Sequence, residues 1–216
     1  MTRMLCTART ASGREPAIRT AAKTAFVALA FSLLACGPVT EVPAWGTLPD
    51  FSLTNQDDQP YGTAQLAGRP WIADFIFTKC PGRCPKLTRE MSGIQTELRG
   101  RGWDDVMLVS ISVDPANDTP EVLTEYAARH GAKLDGWQFL TGTRDGIWSL
   151  SVEGFKLPVE EVEDTGEGPI LHSNRFVLAD GRQQIRGYYD ALDAEDRARL
   201  LRDLEIVRAE SAPVAD

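Results

Sequence analysis

The chain has 216 residues, of which 43% are hydrophobic and 25% are charged. This composition is typical of a globular domain and excludes a collagenous, disordered or large multidomain protein. Acidic residues outnumber basic ones by 31 to 23, giving a net charge of -8, which argues against a nucleic-acid partner because phosphates would require a basic face.

The first 35 residues have the pattern of a secretory signal peptide. Several basic residues precede an apolar stretch from Ala25 to Ala35. As a helix this stretch would rise about 16 Å, roughly half of the ~30 Å hydrocarbon core, so we predict that residues 1–35 are removed rather than span a membrane. The stretch ends in Leu-Leu-Ala-Cys, which resembles a bacterial lipobox. Cys36 is therefore the predicted lipidation site, and an ordinary signal peptide followed by a chance cysteine is the alternative.

The next residues predict a tether and then the first strands of one domain. Residues 36–47 are small, polar and proline-containing, which predicts a tether to a single domain over residues 48–210. Leu48–Thr54 alternates like a short strand, and the polar run after it predicts an N-terminal β-hairpin. Trp71–Phe77 is a compact aromatic and β-branched run, which is typical of a buried strand.

The middle of the domain alternates predicted helices and strands. Apolar residues recur at helical spacing from Pro85 to Gly100, which predicts an amphipathic helix. Val106–Val113 predicts a second buried strand. Thr119 is followed by proline, a pattern that predicts an N-cap and a helix that stops at Gly131.

The last third predicts two further helices and a hairpin. Trp137–Leu140 reads as a short strand, and Thr143 caps the next helix. Arg175–Ala179 and Gln183–Gly187 flank an Asp-Gly turn and predict a β-hairpin, while Asp193 caps the last helix. Strands that alternate with helices, followed by a terminal hairpin, indicate an α/β sandwich with a mixed central sheet.

Two cysteines carry the candidate chemistry. Removal of the signal peptide would discard Cys6 and engage Cys36, which leaves Cys80 and Cys84 in a compartment outside the cytosol. They lie between a buried strand and a helix, where α/β folds present reactive groups. Pro85 fits the first helical position, so Cys84 would lie at or next to the N-cap, where the helix dipole stabilises a thiolate. We expect both thiols to ionise more readily than a free cysteine. A structural disulfide is the alternative, although so short a loop gains little from closure.

The two histidines receive different predictions. His172 lies in a loop that leads into the strand Arg175–Ala179, and in a thioredoxin-like topology this loop faces the two thiols. A structural role for His172 stays open on position alone. His130 ends a predicted helix just before Gly131, where an imidazole interacts well with the last carbonyls, so we predict a capping role.

Two thiolates and one imidazole make a soft, three-point metal site. Such donors favour Cu(I) or zinc over magnesium, calcium or manganese. A structural zinc site would want a fourth protein ligand, which a three-coordinate copper site does not need. The same thiols can close to a disulfide that no longer holds metal, so metal binding and redox state are coupled.

Four segments together resemble the SCO/SenC family of copper-binding, thioredoxin-fold proteins. They are FIFTKCPGRCPKLTREM (75–91), SISVDPANDTPEVLTEYA (110–127), LTGT (140–143) and LHSNRFVLADGR (171–182). The match runs from about Pro49 to Leu204 in the family's order. The resemblance implies a thioredoxin-like fold with an extra N-terminal β-hairpin, and it assigns Cys80, Cys84 and His172 as ligands of a copper ion.

The resemblance also implies a function. The protein is expected to be a lipid-anchored copper metallochaperone, rather than an enzyme, on the periplasmic side of a bacterial membrane. Its partner would be subunit II of cytochrome c oxidase, which has a dinuclear copper centre, or another periplasmic copper protein. Because Cys80 and Cys84 also form a redox-active pair, a thiol-disulfide oxidoreductase and a copper or redox sensor are the alternatives.

The chain departs from the family pattern near the site. Many members carry an aspartate where this chain has Gly82, and an aspartate-rich segment before the histidine where this chain has GEGPIL. Typical copper affinity and redox behaviour therefore do not follow from the resemblance. Asp114, in the SVDP motif, either supports the site from outside the ligand set or has a plain loop-start or N-cap role.

Overall fold

The computed structural model describes residues 41–164 and 168–211. The predicted signal peptide and Cys36 lie outside the described residues. Among the helices of the described residues, none has both the length and the apolar character needed to cross a membrane.

Ten strands and five α-helices make up the described chain. The strands are β1 (Gly46–Thr47), β2 (Ser52–Asn55), β3 (Pro60–Gly62), β4 (Trp71–Ile76), β5 (Met107–Ser112), β6 (Trp137–Thr141), β7 (Val159–Glu161), β8 (Ile170–His172), β9 (Arg175–Ala179) and β10 (Gln184–Asp190). The helices are α1 (Thr63–Leu66), α2 (Arg83–Gly100), α3 (Pro120–Arg129), α4 (Arg144–Ser149) and α5 (Ala194–Ser211). The segment Leu150–Gly154 continues α4 as a π-helix.

Eight of these strands form one mixed sheet in the order β1-β10-β9-β4-β5-β6-β2-β3. Strand β5 is parallel to β4 and to β6, whereas β9 is antiparallel to β4 and to β10. The antiparallel pair β2–β3 extends the sheet beyond β6. The predicted α/β fold with a mixed central sheet and an extra N-terminal hairpin is confirmed.

The two central strands explain why the sheet forms the core. All six residues of β4 and all six of β5 are buried, as expected for strands covered on both faces. Helix α2 buries Leu87, Met91, Ile94 and Leu98, the stripe that its sequence spacing predicts. Because β4, β5 and β6 run in the same direction, their carboxyl ends share one edge, and β9 begins at that edge.

The structure corrects the start of α2. The helix begins at Arg83 with Gly82 as its N-cap, so Pro85 occupies the third helical position rather than the first. Proline is tolerated there because amides of the first turn have no intrahelical acceptor to lose. Cys84 is consequently the second residue of the helix.

The structure also corrects the predicted tether. Val42 is buried, and its carbonyl accepts a hydrogen bond from Arg186 Nε at 3.2 Å. Gly46 and Thr47 pair with the start of β10. The tether assignment therefore does not hold for residues 41–47, whereas residues 36–40 lie outside the described residues.

A two-stranded sheet was not predicted. Strands β7 and β8 pair with each other, apart from the main sheet, and we call them the ribbon. His172 is the last residue of β8 and pairs with Val159, so it belongs to a strand and not to a loop. The ribbon joins the main sheet where β9 begins, at the edge where β4 ends.

Candidate metal centre

The two cysteines lie where β4 passes into α2. The amide of Cys80 donates to Phe77 O at 3.3 Å, which shapes the turn after the strand. The amide of Cys84, in the first turn of α2, donates to Cys80 Sγ at 3.4 Å. The structure places no disulfide between the two residues, and both are buried, Cys84 completely. The helix start therefore directs a backbone donor at the first sulfur, as expected where a thiolate is stabilised.

The ribbon brings the imidazole of His172 to these sulfurs. His172 Nε2 lies 3.2 Å from Cys84 Sγ. On the other side of the ring, Nδ1 lies 3.0 Å from the carbonyl oxygen of Ser173. A carbonyl can only accept, so Nδ1 is the donor in this contact and Nε2 is the ring nitrogen that faces the sulfurs. The ring is thereby prepared to act as a ligand through Nε2.

The two thiols differ in acidity, and the negative charge of the pair lies on Cys80. A hydrogen bond from the Cys84 thiol lowers the pKa of Cys80, and His172 and the amides of Cys84 and Gly82 add to this effect against the cost of burial. The pKa of Cys84 is raised, first because its proton is shared with Cys80 and then by burial. The expectation that both thiols ionise readily is therefore wrong for Cys84, because its proton is shared with Cys80 and its side chain is buried.

Asp118 fixes the turn that precedes Cys80. Its carboxylate is fully buried and accepts from the Thr78 amide at 3.1 Å, the Thr78 hydroxyl at 2.6 Å and the Ser112 hydroxyl at 2.5 Å. Asp114 instead accepts from Asn117 within its own loop. The supporting carboxylate of the SVDPANDTP motif is thus Asp118, which the sequence analysis missed, and Asp114 has the loop role.

A second buried carboxyl, Asp74, was also missed. It lies in β4, where Oδ1 accepts from Ser110 Oγ at 2.6 Å, and Ser110 Oγ accepts from Trp137 Nε1 at 3.0 Å. Asp74 Oδ2 has no hydrogen-bond partner among the described residues. Burial raises the pKa of Asp74 to about 7, against the opposing effects of the Ser110 hydrogen bond and the charge of His172. The sequence signal that could have identified this buried carboxyl is a single acidic residue within the apolar run WIADFIF.

His130 lies away from the centre. It is the C-cap residue of α3, and its amide donates to Tyr126 O at 3.1 Å and Ala127 O at 3.2 Å. The predicted position at the helix end is confirmed. Its imidazole packs on the Tyr126 ring at a centroid distance of 4.4 Å. Burial, followed by the charges of Arg129 and Arg89, lowers the pKa of His130.

The donors that meet at this edge suit a soft metal ion. Two sulfurs and an imidazole nitrogen are the ligand types that favour Cu(I) or zinc over hard cations. No three His, Cys, Asp or Glu side chains among the described residues are already spaced as a complete ligand set. A cavity of about 180 Å³ adjoins Cys80 and His172, and its lining includes the apolar Phe77 and Leu171 and the charged Arg83. The geometry thus offers converging soft donors beside a small cavity.

Comparison with known proteins identifies similar sequences. A model of the SCO1/SenC family matches residues 43–207. The SCO1 protein homolog of Bacillus subtilis is 35% identical over 144 residues, which cover 66% of this chain and 73% of that protein. A protein of Stutzerimonas stutzeri whose name describes copper binding is 34% identical over 161 residues, covering 74% of this chain and 77% of that protein.

Solved structures show the same fold. A SCO1/SenC family lipoprotein from Bacillus anthracis has a TM-score of 0.69 at 32% identity, covering 74% of this chain and 94% of that one. BsSco, described as a member of the Sco family of cytochrome c oxidase assembly proteins with a disulfide switch, has a TM-score of 0.68 at 31% identity. That match covers 75% of this chain and 93% of BsSco.

Proposed function

This chain belongs to the SCO1/SenC family, and we propose on that basis that it is a copper metallochaperone that binds the ion through Cys80, Cys84 and His172. One observation carries the assignment of the ligands: His172 Nε2 lies 3.2 Å from Cys84 Sγ, at the point where the Cys84 amide meets Cys80 Sγ. Two regions distant in sequence thus deliver soft donors to one place. The copper-binding name of the Stutzerimonas stutzeri relative supports copper as the ion.

The residues of the centre have separate tasks in loading and release. Cys80, whose pKa is lowered, supplies the first thiolate, and Cys84 loses its proton as the ion binds. His172 offers Nε2 as its ligand atom, because Nδ1 is engaged by the Ser173 carbonyl. Thiolates of a client replace these ligands by exchange. If an oxidant removes two electrons and the thiol protons leave, Cys80 and Cys84 form a disulfide and both sulfur ligands are lost.

The client and the location form part of the same proposal. We assign as client subunit II of cytochrome c oxidase, or another periplasmic copper protein, because BsSco is described as belonging to a family of oxidase assembly proteins. The lipobox-like Leu-Leu-Ala-Cys supports lipidation of Cys36 and anchoring on the periplasmic side of a bacterial membrane. The Bacillus anthracis relative is itself described as a lipoprotein.

A thiol-disulfide oxidoreductase is the second candidate function. The lowered pKa of Cys80 favours it, because the thiolate is the nucleophile in disulfide exchange. In that role Cys80 attacks a client disulfide, and Cys84 then resolves the mixed disulfide, so the client is reduced and this protein is oxidised. The disulfide switch described for BsSco shows that cysteines of a relative undergo this redox change.

The experiment that tests the proposal is a Cu(I) titration of the reduced full-length protein against a chromophoric competitor. The wild type is expected to bind one Cu(I) tightly, and the Cys84→Ser and His172→Ala variants are expected to bind it more weakly. His130→Ala is the matched control and keeps wild-type affinity. Unchanged affinity in both site variants would overturn the ligand assignment. Insulin reduction at a thioredoxin-like rate, without tight copper binding, would favour the oxidoreductase instead.

A further inference from the structure

Phe77 links the thiol region to the ribbon. It follows β4 directly, is 1% exposed, and its carbonyl accepts the amide of Cys80 at 3.3 Å. Its ring meets the imidazole of His172 edge to face, with centroids 5.6 Å apart and planes at 81°. This is a favourable geometry for two aromatic rings. A side chain fixed in the core therefore contacts the ring that supplies the third donor.

The Phe77 contact adds to the polar contacts of the imidazole, one of which joins Nε2 to Cys84 Sγ at 3.2 Å. Its hydrogen bond through Nδ1 goes to Ser173, the next residue in the chain, so this bond moves with the ribbon. The ribbon is paired only within itself in the sheet arrangement of the described residues. The Phe77 ring, in contrast, is positioned by the main sheet. It is the aromatic neighbour of His172 among the ring contacts of the described residues.

Gly168 allows the ribbon to come close to Phe77. Its φ is +96°, a conformation that favours glycine, and its amide donates to Asp164 Oδ1 at 2.9 Å. A Cβ at this position would lie 2.6 Å from Cζ and 2.9 Å from Cε2 of Phe77. Because Phe77 is enclosed in the core, a side chain at residue 168 would force the ring or the ribbon to move.

From these contacts we infer that Phe77 is a positioning residue that sets the orientation of the His172 imidazole. We also infer that the lack of a side chain at Gly168 leaves the space that the Phe77 ring occupies in this contact. The consequence for copper rests on the proposed function, whereas the ring orientation is a property of the metal-free protein. The Phe77 ring is proposed to act on the metal centre through its contact with His172.

Nuclear magnetic resonance of the reduced, copper-free, full-length protein tests the inference directly. The sequence has two histidines, so the imidazole carbon-bound protons give two sets of signals after selective histidine labelling. In the wild type, His172 should show ring-current shifts from Phe77. Phe77→Leu should remove these shifts and leave His130 unchanged. The matched control is Tyr126→Leu, which removes the ring against His130 and should shift the signals of that histidine.

Gly168→Ala supplies the second variant. It should shift the His172 signals as Phe77 is displaced, and it should add little in the Phe77→Leu background, because leucine lacks the atoms that a Cβ would meet. Unchanged His172 signals in both single variants, with the His130 signals in their native positions, would overturn the inference. Fully additive shifts in the double variant would overturn the role of Gly168.

Copper binding gives a separate readout. If His172 is a ligand, Phe77→Leu should weaken Cu(I) binding about tenfold through misorientation of the ring. If the wild type bound no copper, the proposed function would fail while the resonance shifts still established the positioning role. If copper bound normally while the His172 signals were insensitive to Phe77, the positioning role would fail alone.

Discussion

The donors of the candidate metal centre come from two regions that differ in how firmly the fold holds them. Cys80 and Cys84 lie at the junction of β4 and α2, two elements whose buried residues form the centre of the core. His172 lies in the ribbon, whose two strands have three residues each. Leu171 in β8 is 43% exposed and Val162, next to β7, is 39% exposed, whereas Val159 in β7 is buried. A two-stranded ribbon is only marginally stable alone. Core packing therefore sets the positions of the sulfurs, while contacts such as that with Phe77 set the position of the imidazole.

The largest expected effect is on the pH dependence of stability and concerns Asp74, a residue of β4. Its pKa is about 7 in the folded protein, against 3.8 as the ordinary value, so the folded state retains the proton that the unfolded state loses. The stability contributed by this proton is complete below about pH 4 and is lost as the pH rises through 7. Between pH 4 and pH 8, the unfolding free energy of Asp74→Asn should therefore fall by about 4 kcal/mol less than that of the wild type.

Denaturant unfolding of the reduced, copper-free protein at several pH values measures this difference. Comparison across pH within each variant cancels any constant cost of placing an amide in the core. Parallel pH profiles for the wild type and Asp74→Asn would show that Asp74 does not titrate in this range.

The next effect concerns Asp118, which ties the turn before Cys80 to the end of β5. Asp118→Ala removes the acceptor of three hydrogen bonds and leaves buried donors unpaired, so a loss of about 2–3 kcal/mol in unfolding free energy is expected. Asp114→Ala is the matched control from the same motif. Because Asp114 bonds to exposed Asn117, its loss should cost less than about 1 kcal/mol. Equal losses in the two variants would contradict the separate roles assigned to these aspartates.

The smallest effect on stability is expected in the ribbon. Leu171→Ala changes a side chain that is 43% exposed, so unfolding free energy should change by less than about 0.5 kcal/mol. Thermal or urea unfolding measures this change beside Asp118→Ala. A loss as large as that of Asp118→Ala would show that the ribbon is as much part of the core as the thiol region, and the contrast between the two regions would be abandoned.

The same contrast explains how far the sequence predicts the molecule. The sequence has clear local signals for the buried strands β4 and β5 and for the helix cap at Thr119. Each signal is formed by adjacent residues: an apolar run for each strand, and an N-cap residue followed by proline for the helix. The ribbon has none, because β7 and β8 are short and are paired across an intervening segment. Its pairing depends on tertiary contacts that a local pattern does not contain.

The candidate site shows the same limit. Cys80, Cys84 and His172 were proposed from residue type, spacing and family resemblance, and the structure brings them together. The raised pKa of Cys84 and the roles of Asp74 and Asp118 were not foreseen, because each depends on burial or on partners distant in sequence. The predicted lipid anchor at Cys36 lies outside the described residues and stays a prediction.

X-ray absorption of the copper-loaded, reduced full-length protein tests the central claim most directly, because it reports the ligand atoms around the ion. Two sulfur scatterers and one imidazole are expected in the wild type. His172→Ala should lose the imidazole signal and retain both sulfurs, and His130→Ala should leave the spectrum unchanged. An imidazole signal that persists in His172→Ala, or a wild-type spectrum without two sulfurs, would contradict a centre built from Cys80, Cys84 and His172.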